Sequence, residues 1–356
     1  MGLGVIVIFG ADWEHQFLDA SPITAQDEFL AQPLPCVEVL GRSMVERTLE
    51  QFFRADVEVV TVVGPPSMAH CMPPLQKKFT GARVRWVSDI SAGVTRTLKE
   101  YSRSGIEYSF LISGDLYVET DLLDLFFFHR EAMRLATRAI DKEGPLNLWV
   151  VDCARASLSD LEVLLTDRNV ASYTIGGYVR RLEDPRDLRK LIVDALGGRC
   201  SVRPGGREIR PGIWIDKGAE VDKRARIVSP AYIGRNCKVK EDALITRCSS
   251  IEHNCCVDYG TVIEDSSVLA NTSIGIWLDV RHAVASGNKL FSLAHGVGAE
   301  ISDPSVMKSN VLARHASKHG LQLVPQQQEE PLVSMVVQKN PAPKPEWQLG
   351  ANPIQG

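Results

Sequence analysis

The residues best placed for chemistry stand where apolar runs end. FLISGD, Phe110 to Asp115, closes a hydrophobic run on a glycine and an acid. A carboxylate at the carboxyl end of a strand is a hard oxygen ligand that can hold Mg²⁺ against a phosphate. The same Asp115 can instead cap a turn before a helix starting near Asp121, and spacing alone leaves both readings open. Two other strand ends qualify as ligand sites: the loop after Phe9, and the turn after Tyr178, where Arg180 and Arg181 can hold an anion or serve as an ordinary surface pair. His253, His282 and His295 offer a general base able to deprotonate a hydroxyl or an amine. His253 points outward by its place after Ile251, so His282 or His295 is the better base, and each also suits a solvent-facing or packing role.

The elements that would position these residues alternate strand and helix. Gly4 to Gly10, Val57 to Val63, Arg83 to Val87, Tyr108 to Ile112 and Leu146 to Asp152 are strand-like apolar runs. Ser43 to Arg54 predicts a helix with Ser43 as N-cap and Glu46 at the capping-box position. Further helices are expected over Asp121 to Met133, Ser157 to Leu165 and Asp187 to Ala195, with a strand over Ser172 to Arg180. This order marks an α/β domain with a mainly parallel sheet. Glycines and prolines then crowd Gly197 to Pro211 and mark a linker.

Beyond the linker the period of the apolar residues becomes six. Ile215, Val221, Ile227, Ile233, Val239, Ile245, Ile251, Val257 and Ile263 succeed one another without a miss. Neither a 3.6-residue nor a two-residue period produces this series. Small residues, Ala219, Ala225, Ala231, Cys237, Ala243, Ser249, Cys255 and Thr261, recur at the same interval. Large and small positions repeating in this way predict a three-sided parallel β-helix, with residues eighteen apart stacked at the ordinary strand spacing of ~4.8 Å. After Ile263 the phase slips by one and continues through Val268, Ile274 and Val280. Asn288 to Ala294 and Ser305 to Ala313 can cap the last coil, VSMVV can add one strand, and the proline-rich remainder is expected to be extended.

Composition excludes some functions. A formal net charge of -4 gives no reason to expect a nucleic acid or an anionic membrane as partner. The opening is too short and too soon acidic for a signal peptide, no segment approaches eighteen apolar residues, and the chain reads as cytoplasmic. The cysteines, Cys36, Cys71, Cys153, Cys200, Cys237, Cys248, Cys255 and Cys256, show no paired metal-ligand spacing, so free buried thiols are expected.

The N-terminal part resembles the sugar-nucleotide pyrophosphorylases, which join a nucleoside triphosphate to a sugar 1-phosphate and release pyrophosphate. The resemblance lies in VIVIFG, in PLPCVEVLGRSMVERTLEQF from Pro33 to Phe52, in FLISGDLYVETDLLDLFFFHR from Phe110 to Arg130, and in GGYVRRLEDPRDLRKLIVDAL from Gly176 to Leu196. With C-terminal coils similar to hexapeptide repeats, it covers the chain to about residue 285. It implies a Rossmann-like, GT-A-like nucleotidyltransferase domain over residues 1–200, a linker over 201–212, a left-handed β-helix over 213–285, a cap region over 286–323 and a tail over 324–356. It also implies nucleotide contacts at Gly10, Ala11, Asp12 and Gly114, Mg²⁺ on Asp115, and a catalytic pair of Asp115 and Arg181.

The departures fall on functional positions. Gly10 to Asp19, GADWEHQFLD, has one glycine, several acids and no arginine where the family has a glycine-rich, arginine-ended phosphate loop. Leu34 stands for the family's lysine between two prolines, and Arg181 for its second metal aspartate. A cation cannot ligate Mg²⁺. The expectation is therefore a degenerate homologue with weak or no pyrophosphorylase activity that binds a sugar nucleotide, regulates or assembles, and self-associates through its β-helix. An active Mg²⁺-dependent enzyme and a hexapeptide-repeat acyltransferase are the alternatives. If the pocket were rewired, Arg180 and Arg181 should face a bound anion; if abandoned, Leu34 should pack onto Val37 or the first strand.

Overall fold

The computed structural model describes residues 2–9, 29–30, 34–79, 83–156, 170–310 and 337–339. Its first strand, β1 (Gly2–Ile8), is buried along almost its whole length, as expected of a central parallel strand whose two faces are both covered. It lies between β2 (Val59–Gly64), followed outward by β3 (Arg83–Ser88), and β4 (Ile106–Ser113), and all of these neighbours run parallel. On the other side β5 (Ala136–Asp141) and β6 (Gly144–Asp152) form a hairpin, β6 runs antiparallel to β4, and β7 (Ala171–Thr174) closes the sheet beside β5. The seven-stranded order is β7-β5-β6-β4-β1-β2-β3.

Helices cover both faces. α1 (Met44–Arg54) starts at Ser43, whose Oγ accepts from the Glu46 amide at 3.3 Å, a cap that contributes about 1 kcal/mol. Its Leu49 and Phe52 enter one core layer with Val5, Val7 and Phe110. α2 (Ile90–Arg103) places Val94, Leu98 and Tyr101 in the opposite layer with Ile6, Ile8 and Trp149. The helix expected from Asp121 is present as Leu122–Ala132 with Asp121 as its cap. The last expected helix is α3 (Pro185–Leu196), capped by Asp184.

The single strand expected over Ser172 to Arg180 is two. β7 belongs to the main sheet, and Val179–Arg181 instead pairs antiparallel with Leu116–Val118, because Gly176 and Gly177 let the chain turn between them. A Cβ on Gly177 would lie 1.7 Å from the Glu119 carbonyl oxygen, so only glycine fits there. The helix expected over Ser157 to Leu165 lies outside the described residues; a short helix, Cys153–Ala156, precedes it. The cysteine expectation needs one correction. Cys36 is disulfide-bonded, whereas Cys153, Cys200, Cys237, Cys248, Cys255 and Cys256 are free. Sequence spacing carries no information on which thiols meet across a fold.

The six-residue period builds three parallel sheets. On the first face Ile215 pairs with Ile233, Ile233 with Ile251, and Ile251 with Val268. On the second, Val221, Val239, Val257 and Ile274 stack, and on the third Ile227, Ile245, Ile263 and Val280. The one-residue phase slip is absorbed at the corner after Ile263. Small corner residues sit inside and satisfy the next coil: Cys237 Sγ donates to Glu252 O at 2.7 Å, and Thr261 Oγ1 to Gly275 O at 2.6 Å. Asn236, Asn254 and Asn271 occupy equivalent left-handed corners and bond side chain to side chain up the stack. Antiparallel strands close the far end: Lys289–Ser292 on the first face, Met307–Ser309 on the second, Val337–Lys339 on the third. The linker itself supplies a strand, Arg207–Arg210, beside the first coil.

The first face of the coil is covered by the chain's own α/β domain. Tyr232, Leu269, Val284 and Phe291 share one apolar cluster with Val39, Leu40, Met44, Leu188 and Ile192. Arg189 of α3, 4% exposed, donates to Cys248 O at 2.7 Å and pairs with Asp265 at 2.8 Å. Arg47 of α1, also buried, donates to Val39 O, Leu40 O and Arg203 O.

Candidate functional site

The strand-end site forms where β1 and β4 stop side by side. Phe9 N donates to Val63 O at 2.7 Å and Gly114 N to Ile8 O at 2.8 Å, which holds the Gly114-Asp115 step against the end of the first strand. Gly114 has no room for a side chain. A Cβ there would lie 2.8 Å from Pro35 Cγ and 2.9 Å from Phe9 Cδ1. The Pro35 ring therefore rests on the glycine that the resemblance assigns to a nucleotide, and the segment after it runs on to the coil. Asp115 is half-buried, and its carbonyl accepts from Leu182 N at 2.9 Å, tying it to the short Val179–Arg181 strand.

That strand brings Arg181 opposite Leu116, next to Asp115 along the chain, but turns its guanidinium elsewhere. Arg181 meets Asp141 with two nitrogens, at 2.8 and 2.9 Å, meets Glu143 at 3.0 Å, and donates further to the carbonyls of Gly144 and Pro145. Fork-to-fork geometry of this kind is the strong form of the arginine-carboxylate bond. The hydrogen bonds from Arg181, more than any other effect, hold the Asp141 carboxyl below the usual range. Arg180 is engaged in the same manner: it pairs with Asp194 of α3 at 3.0 Å and lies over the Tyr178 ring, while Tyr178 Oη donates to Asp194 at 2.6 Å. Both arginines are thus neutralised by the chain itself.

Leu34 is half-buried and packs against the cluster containing Val37, Val39 and Leu40, and its carbonyl accepts from Val37 N at 3.1 Å. Gly10, Ala11, Asp12, Glu14, Asp19 and Pro33 lie outside the described residues.

The described residues around Asp115 do not make up a site for the Mg²⁺ that the resemblance implies. The strand beside Asp115 contributes Arg181 in place of a second carboxylate, and among the described residues no group of three or more His, Cys, Asp or Glu is gathered for a metal. His253 points out of the coil, as its place after Ile251 predicts, and its Nδ1 bonds the Glu38 carboxylate of the N-terminal part. His282 is 54% exposed with Nδ1 2.6 Å from Asp265, the same carboxylate that anchors Arg189, and His295 N donates to Ser292 Oγ.

Asp141, Glu143 and Glu252 were not singled out by sequence reasoning. The stretch Asp141-Lys142-Glu143-Gly144 is a turn signal between two apolar runs, which places both acids at a hairpin turn without naming their partner. Glu252, at 0% exposure, looks in sequence like one more solvent-facing acid of the coil.

No protein-family model and no curated protein matches the chain. Among solved structures, HddC from Yersinia pseudotuberculosis is similar at 14% identity with a TM-score of 0.40, over 52% of this chain and 96% of that one. Among the described residues no helix is long and apolar enough to cross a membrane.

Proposed function

We propose that this chain is a degenerate relative of the sugar-nucleotide pyrophosphorylases, a nucleotidyltransferase-like domain carried on a left-handed β-helix, which works as a regulatory or assembly subunit rather than as a catalyst. One observation carries the reading. Arg181, standing where the family has a metal aspartate, is held by Asp141 and Glu143. Phosphoryl transfer depends on neutralising a polyanion as charge develops, and a cation committed to two internal acids contributes little to that. The packing of Leu34 and the Pro35 ring on Gly114 support it in the same direction.

The reading includes weak binding of a nucleotide or sugar phosphate, a cytoplasmic location, and self-association. Since the first coil face is covered by the α/β domain, self-association would use the second and third faces. The test is pyrophosphate release with Mg²⁺, each nucleoside triphosphate and a panel of sugar 1-phosphates. The expected outcome is no release above background. Release that disappears in Asp115→Ala would establish the active Mg²⁺-dependent alternative instead.

A further inference from the structure

The tightest join between the two parts of the chain is a two-residue turn seated on a buried acid. The hairpin Glu38–Val39 and Arg42–Ser43 turns through Leu40 and Gly41, at φ 52° and 85°. Two successive positive φ values are the geometry of a tight hairpin turn, usually filled by Asn-Gly; leucine is a poor occupant of the first place. That conformation aims both amides at one side chain of the coil. Leu40 N donates to Glu252 Oε1 at 2.8 Å and Gly41 N to Glu252 Oε2 at 2.9 Å.

The charges around Glu252 do not neutralise it. Arg47, from α1, gives its guanidinium to three carbonyls. Glu38, on the hairpin, is a like charge held by His253 and, at 3.8 Å, by Arg235. Tyr232 and Asp216 stand on the coil beside the turn, and among the described residues the buried Tyr232 hydroxyl has no hydrogen-bond partner. A carboxylate at 0% exposure keeps two good donors, but burial without a cation bonded to it disfavours its charged form, and the neutral acid gives up less on enclosure.

We propose that Glu252 is a proton-sensitive latch, which holds the 38–43 hairpin to the coil more firmly when protonated than when ionised. The other end of the same segment carries Pro35 against Gly114, so the latch and the strand-end site act on two ends of residues 34–43.

The sign follows from the geometry and agrees with the shift. Burial, then the Glu38 charge, raise the Glu252 carboxyl to about 7, against the opposing pull of the two amides. A carboxyl raised on docking binds its proton in the docked state first. Docking is then strongest below the ordinary carboxylate range, weakens as pH rises toward 7, and levels off above.

Hydrogen exchange of the Leu40 and Gly41 amides, corrected for intrinsic rates, measures this directly in the full chain from pH 5.5 to 8.5. The protection of both amides should fall by about tenfold or more as pH rises. In Glu252→Gln the dependence should vanish. In Glu38→Gln, which keeps the latch and removes the like charge, the fall should be smaller and level off at lower pH. Protection independent of pH in the unaltered chain would overturn the proposal. A slope that persists in Glu252→Gln would also overturn it.

Discussion

Gly41 of the α/β domain and Tyr232 of the coil meet so closely that a Cβ on Gly41 would lie 2.4 Å from the Tyr232 hydroxyl oxygen. Gly41 also has φ 85°, where a side chain is strained even in open space. Gly41→Ala should therefore cost about 2–3 kcal/mol of stability, from the left-handed backbone and the overlap together. Tyr232→Phe removes the atom that the new methyl strikes and a buried hydroxyl that lacks a partner. Urea unfolding should show the single Tyr232→Phe change within about 1 kcal/mol of the parent, and the double variant more stable than Gly41→Ala alone. Strict additivity of the two changes would contradict the contact.

The Arg181-Asp141 pair should respond to charge removal in two ways. Asp141→Asn should lower stability by only about 1 kcal/mol, since the pair is partly solvated, and the double change Asp141→Asn with Glu143→Gln should leave Arg181 able to accept an external anion. Titration of inorganic phosphate, followed by calorimetry, should detect weak binding in the double variant that is absent in the parent. The pH dependence has the opposite sign to the latch. A carboxyl depressed in the folded chain stabilises above its unfolded pKa of ~3.9 and loses that contribution as pH falls through its folded value. Acid unfolding should accordingly begin at higher pH in Arg181→Met than in the parent.

Arg189 and Asp265 give a sharper test of docking, because Arg189 is 4% exposed and Asp265 is 35% exposed. Asp265→Ala leaves a buried guanidinium with two carbonyls and the Ser267 hydroxyl as acceptors. A loss of about 3 kcal/mol is expected, with Arg189→Met costing less. Equal costs would mean that the arginine contributes through packing and its carbonyl bonds rather than through the ion pair.

Within the coil the repeat supplies its own control. Ile245 is fully buried between two neighbouring coils, and Ile227 occupies the same position in the first coil but is half-buried. Ile245→Ala should cost about 3–4 kcal/mol and Ile227→Ala clearly less, as read from denaturant midpoints.

Much of this was legible in the residues. The inner ladders follow from a period of six that no other regular element satisfies, and Ser43 and Asp121 cap helices as their types predict. What was hidden is pairing at a distance. Nothing in the order of residues says that Arg181 turns to Asp141, that Glu252 lies beneath Leu40, that Cys36 is bonded, or that one coil face is already occupied. Each is set by how two independently formed layers dock, and local spacing carries no record of it. The absence of a second carboxylate beside Asp115 was readable, because it is a matter of residue type. The partners of the arginine standing in its place were not.

The central claim is that the α/β domain keeps the fold but has lost the means to hold a triphosphate. Titration calorimetry of the full chain with each nucleoside triphosphate and Mg²⁺ addresses it most directly. The account predicts dissociation constants weaker than ~1 mM for all of them, unchanged by Asp115→Ala. Submicromolar binding that depends on Asp115 would contradict it.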